Sequence, residues 1–433
     1  MFGIKIHREI SDPAVRERIN CVLIIIAAFT VFNYAYNGVY RPLSTEKVDF
    51  EAYYNASLAM KHGVSIYELM NRFFEQGPEA YKGPLPYVYP PCFALFLSPL
   101  ASINYRTGVL IWILLNHVLF FGGMVLLMRT ISRTWSLEGW ITVFFVGMNF
   151  MPLYVDYLIG QANIILFFFI TLGLALHRSG RNLYAGAALA MAAIIKVIPL
   201  LIIFYMLWKR KYTVFLAAVI TIFLIVGYSM LYFDPDLYVW YLKSMTSQDI
   251  FNAYNDNHSL TGFFSRLFLH SIWTKGIFDS PGAAKISIAL SSLIALIVFL
   301  YRIRKRTPAS EPRFLNEYAF CIVTMLLLSK LTSTPYLVML LIPLTVIVHE
   351  LFNHHVPGRV KYILCIAYGI LAIWQPLPLS RFLDMGIYQT YTSGFPAMIF
   401  SLQFFALLAI WCYFAFGYVR FKQQGIQPNR SSA

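Results

Sequence analysis

The chain has 433 residues, of which 59% are hydrophobic and only 12% are charged, about half the ~25% charged fraction of a soluble globular domain. Its formal net charge is +14, and its mean hydropathy is +0.63. These values exclude a soluble enzyme, a disordered chain, a coiled coil and a disulfide-rich secreted scaffold, and they predict an all-α polytopic membrane protein.

The apolar runs predict about 12 membrane crossings, since each crossing needs roughly 20 residues. Residues 21–40 form the first, an uncleaved span rather than a signal peptide, because no small-residue cleavage site follows. The other runs follow in chain order at 108–128, 139–155, 162–176, 183–207, 213–232, 284–301, 315–331, 334–348, 360–377 and 394–417. Two long polar loops, 41–89 and 233–282, are expected to carry short interfacial helices. We expect residues 1–433 to form a single integral-membrane domain.

Basic residues mark one side of the predicted membrane. They cluster at the ends of apolar runs, in residues 129–133, 177–181, 208–211, 301–306, 358–361 and 420–422. Lys and Arg collect on the cytoplasmic side of membrane proteins. Placing these clusters and the N-terminus there assigns the whole excess of +14 to that side. Both termini are therefore predicted to be cytoplasmic and both long loops extracytoplasmic. Topology accounts for the charge, and we expect no nucleic-acid partner.

This layout makes residues 183–207 a broken pair of helices that begins and ends in the cytoplasm, with Lys196 and Pro199 at the break, because proline disrupts a helix. It also makes residues 92–103 a short helix embedded on the outer side. In the alternative layout both segments cross completely. The long loops then keep their orientation, but the basic clusters at 129–133 and 177–181 move outside.

Two polar features lie in the first long loop. Asp49 follows the first span, where a carboxylate facing a cleft can act as a general base. Its position equally suits the N-cap of a helix running through Leu58. Tyr89 precedes Pro90 and Pro91, which fix an extended entry into a helix, and this tyrosine belongs either to a site or to the aromatic belt at the membrane interface.

Other polar residues interrupt apolar sequence. Gln161 and Asn163 follow Asp156, and such amides either cap a helix or bind sugar hydroxyls. Lys196 is flanked by apolar runs on both sides. An intramembrane lysine is costly unless it is paired, so Asp156 or a substrate phosphate is its expected partner. Lys330 lies near the end of an apolar run, where snorkelling is easy.

Residues 257–266 predict a capped, amphipathic helix at the outer interface. Ser259 is the expected cap, and His258 and Arg266 offer positive charge to a phosphate unless they merely belong to a solvated helix. Asp234-Pro235-Asp236 indicates a turn and a helix start rather than a metal site. No metal site and no cofactor are predicted.

Taken in order, these segments resemble the GT-C superfamily of polytopic glycosyltransferases, and within it glycosyltransferase family 87, which includes polyprenol-phosphate-mannose-dependent mannosyltransferases. The matching segments cover residues 20–345. They are Asp49-Phe50 with Tyr53-Tyr54, Tyr89-Pro90-Pro91, Ser98-Pro99-Leu100, Gly160-Gln161-Ala162-Asn163, Gly186 with Ala192 to Lys196 and Pro199, Asn257 to Gly262, and Ser333-Thr334-Pro335-Tyr336 with Pro343.

The resemblance implies a GT-C fold and an inverting transferase with no metal or nucleotide sugar. It would move a sugar such as mannose from a polyprenyl-phosphate donor to a lipid or glycan acceptor on the outer face of a bacterial inner membrane. Asp49 falls on the family's catalytic aspartate. The candidate substrate-binding residues are Tyr53, Tyr54, Tyr89, Asp156, Gln161, Asn163, Lys196, His258, Ser259, Arg266, Lys330 and Tyr336.

One departure from the family concerns the donor phosphate. Many relatives carry histidines where this chain has Thr334-Pro335-Tyr336. Either Lys330, His258 or Arg266 replaces that contact, or the donor is held differently. Besides donor and acceptor, membrane lipid is the expected partner. The alternative function is a transporter or lipid flippase, for which the broken pair of helices around Lys196 is typical but mirrored halves are not found.

Overall fold

The computed structural model describes residues 13–45, 47–76, 83, 85–247, 252–271, 273–373 and 394–417. These ranges are helical and contain no strand, only an isolated bridge between His270 and Lys275. The chain forms two compact units, Met1–Asp249 and Ile250–Ala433. The predicted cytoplasmic termini, residues 1–12 and 418–433, lie outside the described residues.

The first unit contains twelve helices among its described residues. They are α1 Pro13–Tyr34, extended by Ala35–Tyr40 and Arg41–Ser44; α2 Val48–Lys61; α3 Glu68–Gln76; α4 Pro91–Leu97, followed by the 3₁₀ turn Ser98–Ser102; α5 Tyr105–Ile131; α6 Leu137–Met148; α7 Met151–Ile159; α8 Asn163–Arg178; α9 Asn182–Ile195; α10 Leu200–Trp208; α11 Tyr212–Ser229; and α12 Pro235–Ser247.

The second unit contains six helices among its described residues. They are α13 Leu260–Phe268; α14 Pro281–Ile303; α15 Pro312–Leu328; α16 Leu341–Asn353, preceded by the 3₁₀ helix Thr334–Leu340; α17 Gly358–Ile373; and α18 Leu402–Cys412, flanked by Phe395–Ser401 and Tyr413–Gly417. Each predicted apolar run therefore contains helix among its described residues.

Judged by helix length and composition, the structure has fewer membrane crossings than the 12 predicted from the sequence. Among the described residues six helices are long and apolar enough to cross a membrane, or seven if α6 and α7, bent by 48°, form one span. The helix in the predicted crossing 162–176, α8, falls short with 16 residues. The structure confirms an all-helical membrane protein, whereas the 12 crossings and the GT-C fold stay predictions.

The ends of α8, α9 and α10 decide between the two layouts. His177 near the end of α8, Asn182 at the start of α9, and Arg210 just after α10 line one cavity of about 210 Å³. The helix α9 therefore leaves this end of the first unit and α10 returns to it. The broken pair is confirmed, with its break between Ile195 and Leu200, and the alternative of a complete crossing is wrong.

The two apolar segments in dispute are also short. At about 1.5 Å rise per residue, the 14-residue α9 is about 21 Å long, less than the roughly 30 Å thickness of a hydrocarbon core. The helical segment Pro91–Ser102 reaches only about 18 Å. Residues 92–103 are therefore too short for a complete crossing, and their embedding on the outer side stays a prediction.

The helices α5 and α8 run in the same direction. Trp112 Nε1 of α5 donates to the Gly160 carbonyl just before α8, at 2.9 Å, and further along, Gly123 packs against Phe167. The basic clusters that follow α5 and α8 consequently lie at one end of the first unit. Asn163, the first residue of α8, lies at the other end.

Candidate active site

Asp49 lies in the first turn of α2, at the end of the first unit opposite the basic clusters. The residue that precedes the helix as its N-cap is Lys47, so the N-cap interpretation of Asp49 is wrong. A carboxylate in the first turn is still favoured by the positive end of the helix dipole. The Asp49 side chain is only half-buried, which leaves part of it accessible to a substrate.

A left-handed glycine brings Gln161 to Asp49. Gly160 ends α7 with a φ of 74°, a conformation that favours glycine. A Cβ on Gly160 would lie 2.8 Å from Phe50 Cβ, so only glycine lets this connection approach α2. Beyond it, Gln161 Nε2 donates a 2.9 Å hydrogen bond to Asp49 Oδ1.

Lys196 enters the same cluster from the break between α9 and α10. Its Nζ donates 2.8 Å hydrogen bonds to Gln161 Oε1 and to Asn163 Oδ1, and the side chain is buried. Asn163 in turn donates to Asp156 Oδ1 at 2.8 Å. Asn163 therefore bridges Lys196 and Asp156.

Tyrosine hydroxyls complete the cluster. Tyr53 donates to the Tyr89 hydroxyl at 2.8 Å, and Tyr89 donates to Gln161 Oε1 at 3.2 Å. The Lys196 ammonium lies 5.5 Å from the centre of the Tyr89 ring, within cation–π range. Tyr89 is buried in the protein, so the interfacial-belt alternative is wrong. Tyr54 is directed elsewhere, to the Ile103 carbonyl.

Burial shapes the acidity of Asp49. Desolvation by the surrounding protein raises the pKa of its carboxyl, while the Lys196 charge and the Gln161 hydrogen bond oppose that shift. A raised pKa suits a general base that works near neutral pH.

Lys47 is a structural residue of the site that sequence reasoning missed. Its side chain is 1% exposed, and Nζ donates to the carbonyls of Leu158 at 2.9 Å and Thr45 at 3.2 Å. The last carbonyls of a helix have no partner within that helix, so Lys47 ties the end of α7 to the start of α2. In the sequence it looks like an ordinary charge in a polar loop.

A second buried cluster lies in the second unit. Asn257 Nδ2 donates to the Lys330 carbonyl at 3.0 Å, and Asn257 Oδ1 accepts from the Thr332 backbone at 3.1 Å. His258 Nε2 lies 2.9 Å from Asp256 Oδ1 and 3.2 Å from Thr334 Oγ1. These bonds fasten the loop before α13 to the loop after α15.

Three predicted substrate ligands serve this fastening. Ser259 caps α13 by accepting from Gly262 at 3.2 Å, as predicted. Arg266 is fully buried and donates to the carbonyls of Tyr254 and Asn257 at 2.8 and 2.7 Å and to Ser401 Oγ. His258 is fully buried as well. Substrate contacts by these residues stay predictions.

Lys330 and Tyr336 are the predicted ligands of the second unit that are not buried. The Asn257 amide fixes the backbone of Lys330. Tyr336 lies in the 3₁₀ helix Thr334–Leu340, with its backbone amide bonded to the Ser333 carbonyl at 2.9 Å.

Within the described ranges, no group of three or more His, Cys, Asp or Glu side chains is placed to hold a metal ion. Asp234 Oδ1 accepts from the backbone of Asp236 at 2.9 Å, at the start of α12. This confirms the predicted turn.

A family model described as glycosyltransferase family 87 matches residues 87–329, more than half of the chain. The chain belongs to glycosyltransferase family 87. It is also 22% identical, over 240 residues, to a polyprenol-phosphate-mannose-dependent alpha-(1-2)-phosphatidylinositol pentamannoside mannosyltransferase of Mycobacterium tuberculosis. That alignment covers 53% of each chain, so the chain spans about half the length of this curated relative. No solved structure matches the chain.

The match to family 87 covers only part of the candidate site. Tyr89, Gln161, Asn163 and Lys196 all lie inside the matched residues, whereas Asp49 lies before them. The matched polar residues nevertheless form the hydrogen-bonded surroundings of Asp49. The matched residues therefore surround Asp49, although Asp49 itself lies outside the match.

Sequence reasoning missed further polar residues of this family 87 chain. Asp256 and Gln403 are buried, and both are hydrogen-bonded to Thr334. Gln403 carried a usable signal, because a polar side chain inside an apolar run needs a partner. Asp256 lies in a polar loop and carried none.

Proposed function

We propose that this chain is a membrane glycosyltransferase that uses a polyprenyl-phosphate-linked sugar, with Asp49 as the general base. The family and the printed name of the Mycobacterium tuberculosis relative support the donor class. The observation that carries the proposal is that the matched residues Gln161 and, through it, Lys196 are hydrogen-bonded to a half-buried Asp49. The transferred sugar is a hexose such as mannose, and the acceptor is a lipid or a glycan.

The reaction follows from one accessible carboxylate. The acceptor hydroxyl gives its proton to Asp49 as its oxygen bonds to the anomeric carbon of the donor. The bond from that carbon to the phosphate oxygen breaks, and the lipid phosphate leaves as an anion with the electron pair. Attack opposite the leaving group inverts the anomeric configuration. A retaining route would need a second carboxylate about 5–5.5 Å away to act as the nucleophile.

The leaving phosphate needs positive charge. Among the basic residues proposed from the sequence, His258 and Arg266 are fully buried and Lys196 is buried among amide oxygens. Lys330 is the one that keeps an exposed fraction. A contact between Lys330 and the donor phosphate stays a prediction from the sequence.

The site is proposed to face the extracytoplasmic side of a bacterial inner membrane, within a single GT-C domain. The basic clusters lie at the opposite end of α8 from Asn163, and basic residues collect on the cytoplasmic side. By that rule the Asp49 cluster faces the outside.

The test compares two carboxylate variants of purified protein in lipid nanodiscs, supplied with a panel of polyprenyl-phosphate sugars. We expect Asp49→Asn to lose about 10²–10⁴ of the transfer rate, the usual contribution of a general base. Glu51→Gln, two residues further along α2, is the matched control and keeps activity. Wild-type turnover by folded Asp49→Asn protein, or transfer from a nucleotide sugar alone, contradicts the proposal.

A further inference from the structure

The orientation of the Gln161 amide is set by its neighbours. A lysine ammonium has only donor hydrogens, and an ionised carboxylate has only acceptor oxygens. The atom of Gln161 that lies 2.8 Å from Lys196 Nζ must therefore be its oxygen. The nitrogen then faces Asp49 Oδ1 at 2.9 Å.

Among its hydrogen-bond partners, Lys196 is the one that fixes the orientation of the Gln161 amide. Gln161 Oε1 also accepts from the Tyr89 hydroxyl at 3.2 Å and from Asn163 Nδ2 at 3.1 Å. A hydroxyl can turn from donor to acceptor, and an amide can flip its ends. An ammonium can do neither, so Lys196 alone opposes rotation of Gln161 when Asp49 becomes protonated.

We propose that Lys196 is a positioning residue that locks Gln161, so that Asp49 Oδ1 stays occupied by an N–H donor and Oδ2 is the oxygen that takes the acceptor's proton. The inference rests on the proposed function for the identity of that proton. In the transfer step the acceptor O–H bond breaks, its hydrogen binds Oδ2, the new glycosidic bond forms, and the lipid phosphate leaves with the electrons of the broken bond.

This assignment replaces the expectation that Lys196 binds the donor phosphate. The side chain is only 6% exposed, and two of its three donor hydrogens point to amide oxygens. Lys196 also sets the charge around the base. The other groups near Asp49 are Asp156, which interacts with it electrostatically, and the tyrosines Tyr53 and Tyr89.

The decisive variant is Lys196→Met, which removes the ammonium and keeps the volume. Because the base works ionised, transfer falls as the pH drops through the pKa of Asp49. Removing a neighbouring opposite charge raises a carboxyl pKa by about one to three pH units. We expect the acid limb of kcat/KM to move upward by that amount, with kcat reduced and the donor KM within twofold of wild type.

Three companion variants keep the test decisive. Lys196→Arg retains a charged side chain that can only donate hydrogen bonds, so the acid limb of its kcat/KM profile should stay near that of wild type. Gln161→Leu should move the limb upward even if Lys196→Met does not fold. Lys61→Met, which changes an exposed lysine at the end of α2, is the control that should leave the profile unchanged. A raised donor KM with an unmoved acid limb in Lys196→Met would instead make Lys196 a phosphate ligand and overturn the inference.

A readout without turnover separates this inference from the proposed function. Dicyclohexylcarbodiimide adds to protonated carboxyl groups, so peptide mass spectrometry of Asp49 over a pH series gives its titration midpoint in membranes. We expect a higher midpoint in Lys196→Met and Gln161→Leu. If no donor supports transfer but the midpoint moves, the proposed function fails and the positioning role stands. If transfer occurs and the midpoint does not move, the positioning role fails.

Discussion

At the residue scale, buried polar groups decide which parts of this chain are held in place. Lys47, Lys196 and Arg266 are buried cations, and the bonds described here for all three include carbonyl, amide or hydroxyl oxygens. The Lys47 bond satisfies the Leu158 carbonyl, which α7 leaves unpaired at its end. These hydrogen bonds solvate the buried cation and at the same time hold the segments that supply the oxygens.

Lys47 gives the residue-scale prediction. Lys47→Met should leave the Leu158 carbonyl at the end of α7 without its donor. Leaving a buried polar group unsatisfied costs about 1–3 kcal/mol. We expect a lower midpoint of thermal unfolding, measured in detergent by intrinsic fluorescence. Lys285→Met, at an exposed position of α14, is the control, and equal melting of both variants would show that Lys47 does not hold this helix end.

At the element scale, small residues allow helices of the first unit to approach closely. A Cβ on Gly186 of α9 would lie 2.4 Å from the Val214 carbonyl oxygen and 2.6 Å from Ala217 Cβ of α11. Small residues at helix interfaces are typical of membrane proteins, where close packing replaces the hydrophobic effect between helices. Lys196 lies at the end of α9, so this packing also fixes where the ammonium stands.

Gly186→Leu gives the element-scale prediction. The larger side chain must push α9 away from α11, and overpacking typically costs about 1–3 kcal/mol. We expect lower thermal stability and, because Lys196 moves with α9, slower transfer. Gly227→Leu, in α11 with open space around it, is the matched control. A Gly186→Leu protein with unchanged melting and unchanged transfer would contradict this account of the interface.

At the scale of the whole molecule, the two ends of the first unit differ in charge. The end that carries His177, Asn182 and Arg210 is basic, and the end that carries Asp49 and Gln161 holds the candidate site. The cytoplasmic leaflet attracts basic residues. One orientation in the membrane is therefore favoured for the whole unit.

Cysteine labelling tests that orientation. In a variant without native cysteines, a cysteine at Glu75 or Lys243 should react with an impermeant maleimide from outside intact cells. A cysteine at Arg210 should react only after permeabilisation. All three positions are exposed, so access to the protein surface is matched. The reverse pattern would invert the topology and place the Asp49 cluster in the cytoplasm.

The sequence by itself determined where helices form, because an apolar run long enough to enter a membrane must satisfy its own backbone there. It likewise determined the break at Lys196 and Pro199, since proline and an intramembrane charge both oppose an uninterrupted helix. It also identified Asp49, Gln161, Asn163 and Lys196 as polar groups that need partners.

Only the tertiary structure decided which partners they have. Asp49 and Gln161 are 112 positions apart, and no local pattern relates them. Their contact depends on the left-handed Gly160 and on the return of α7 to α2. The burial of His258 and Arg266 was equally undecided by sequence, because a basic residue near a capped helix looks the same whether it faces solvent or the interior. In the fold, Arg266 donates to the loop carbonyls of Tyr254 and Asn257. His258 contacts the side chains of Asp256 and Thr334, and both residues therefore face the interior.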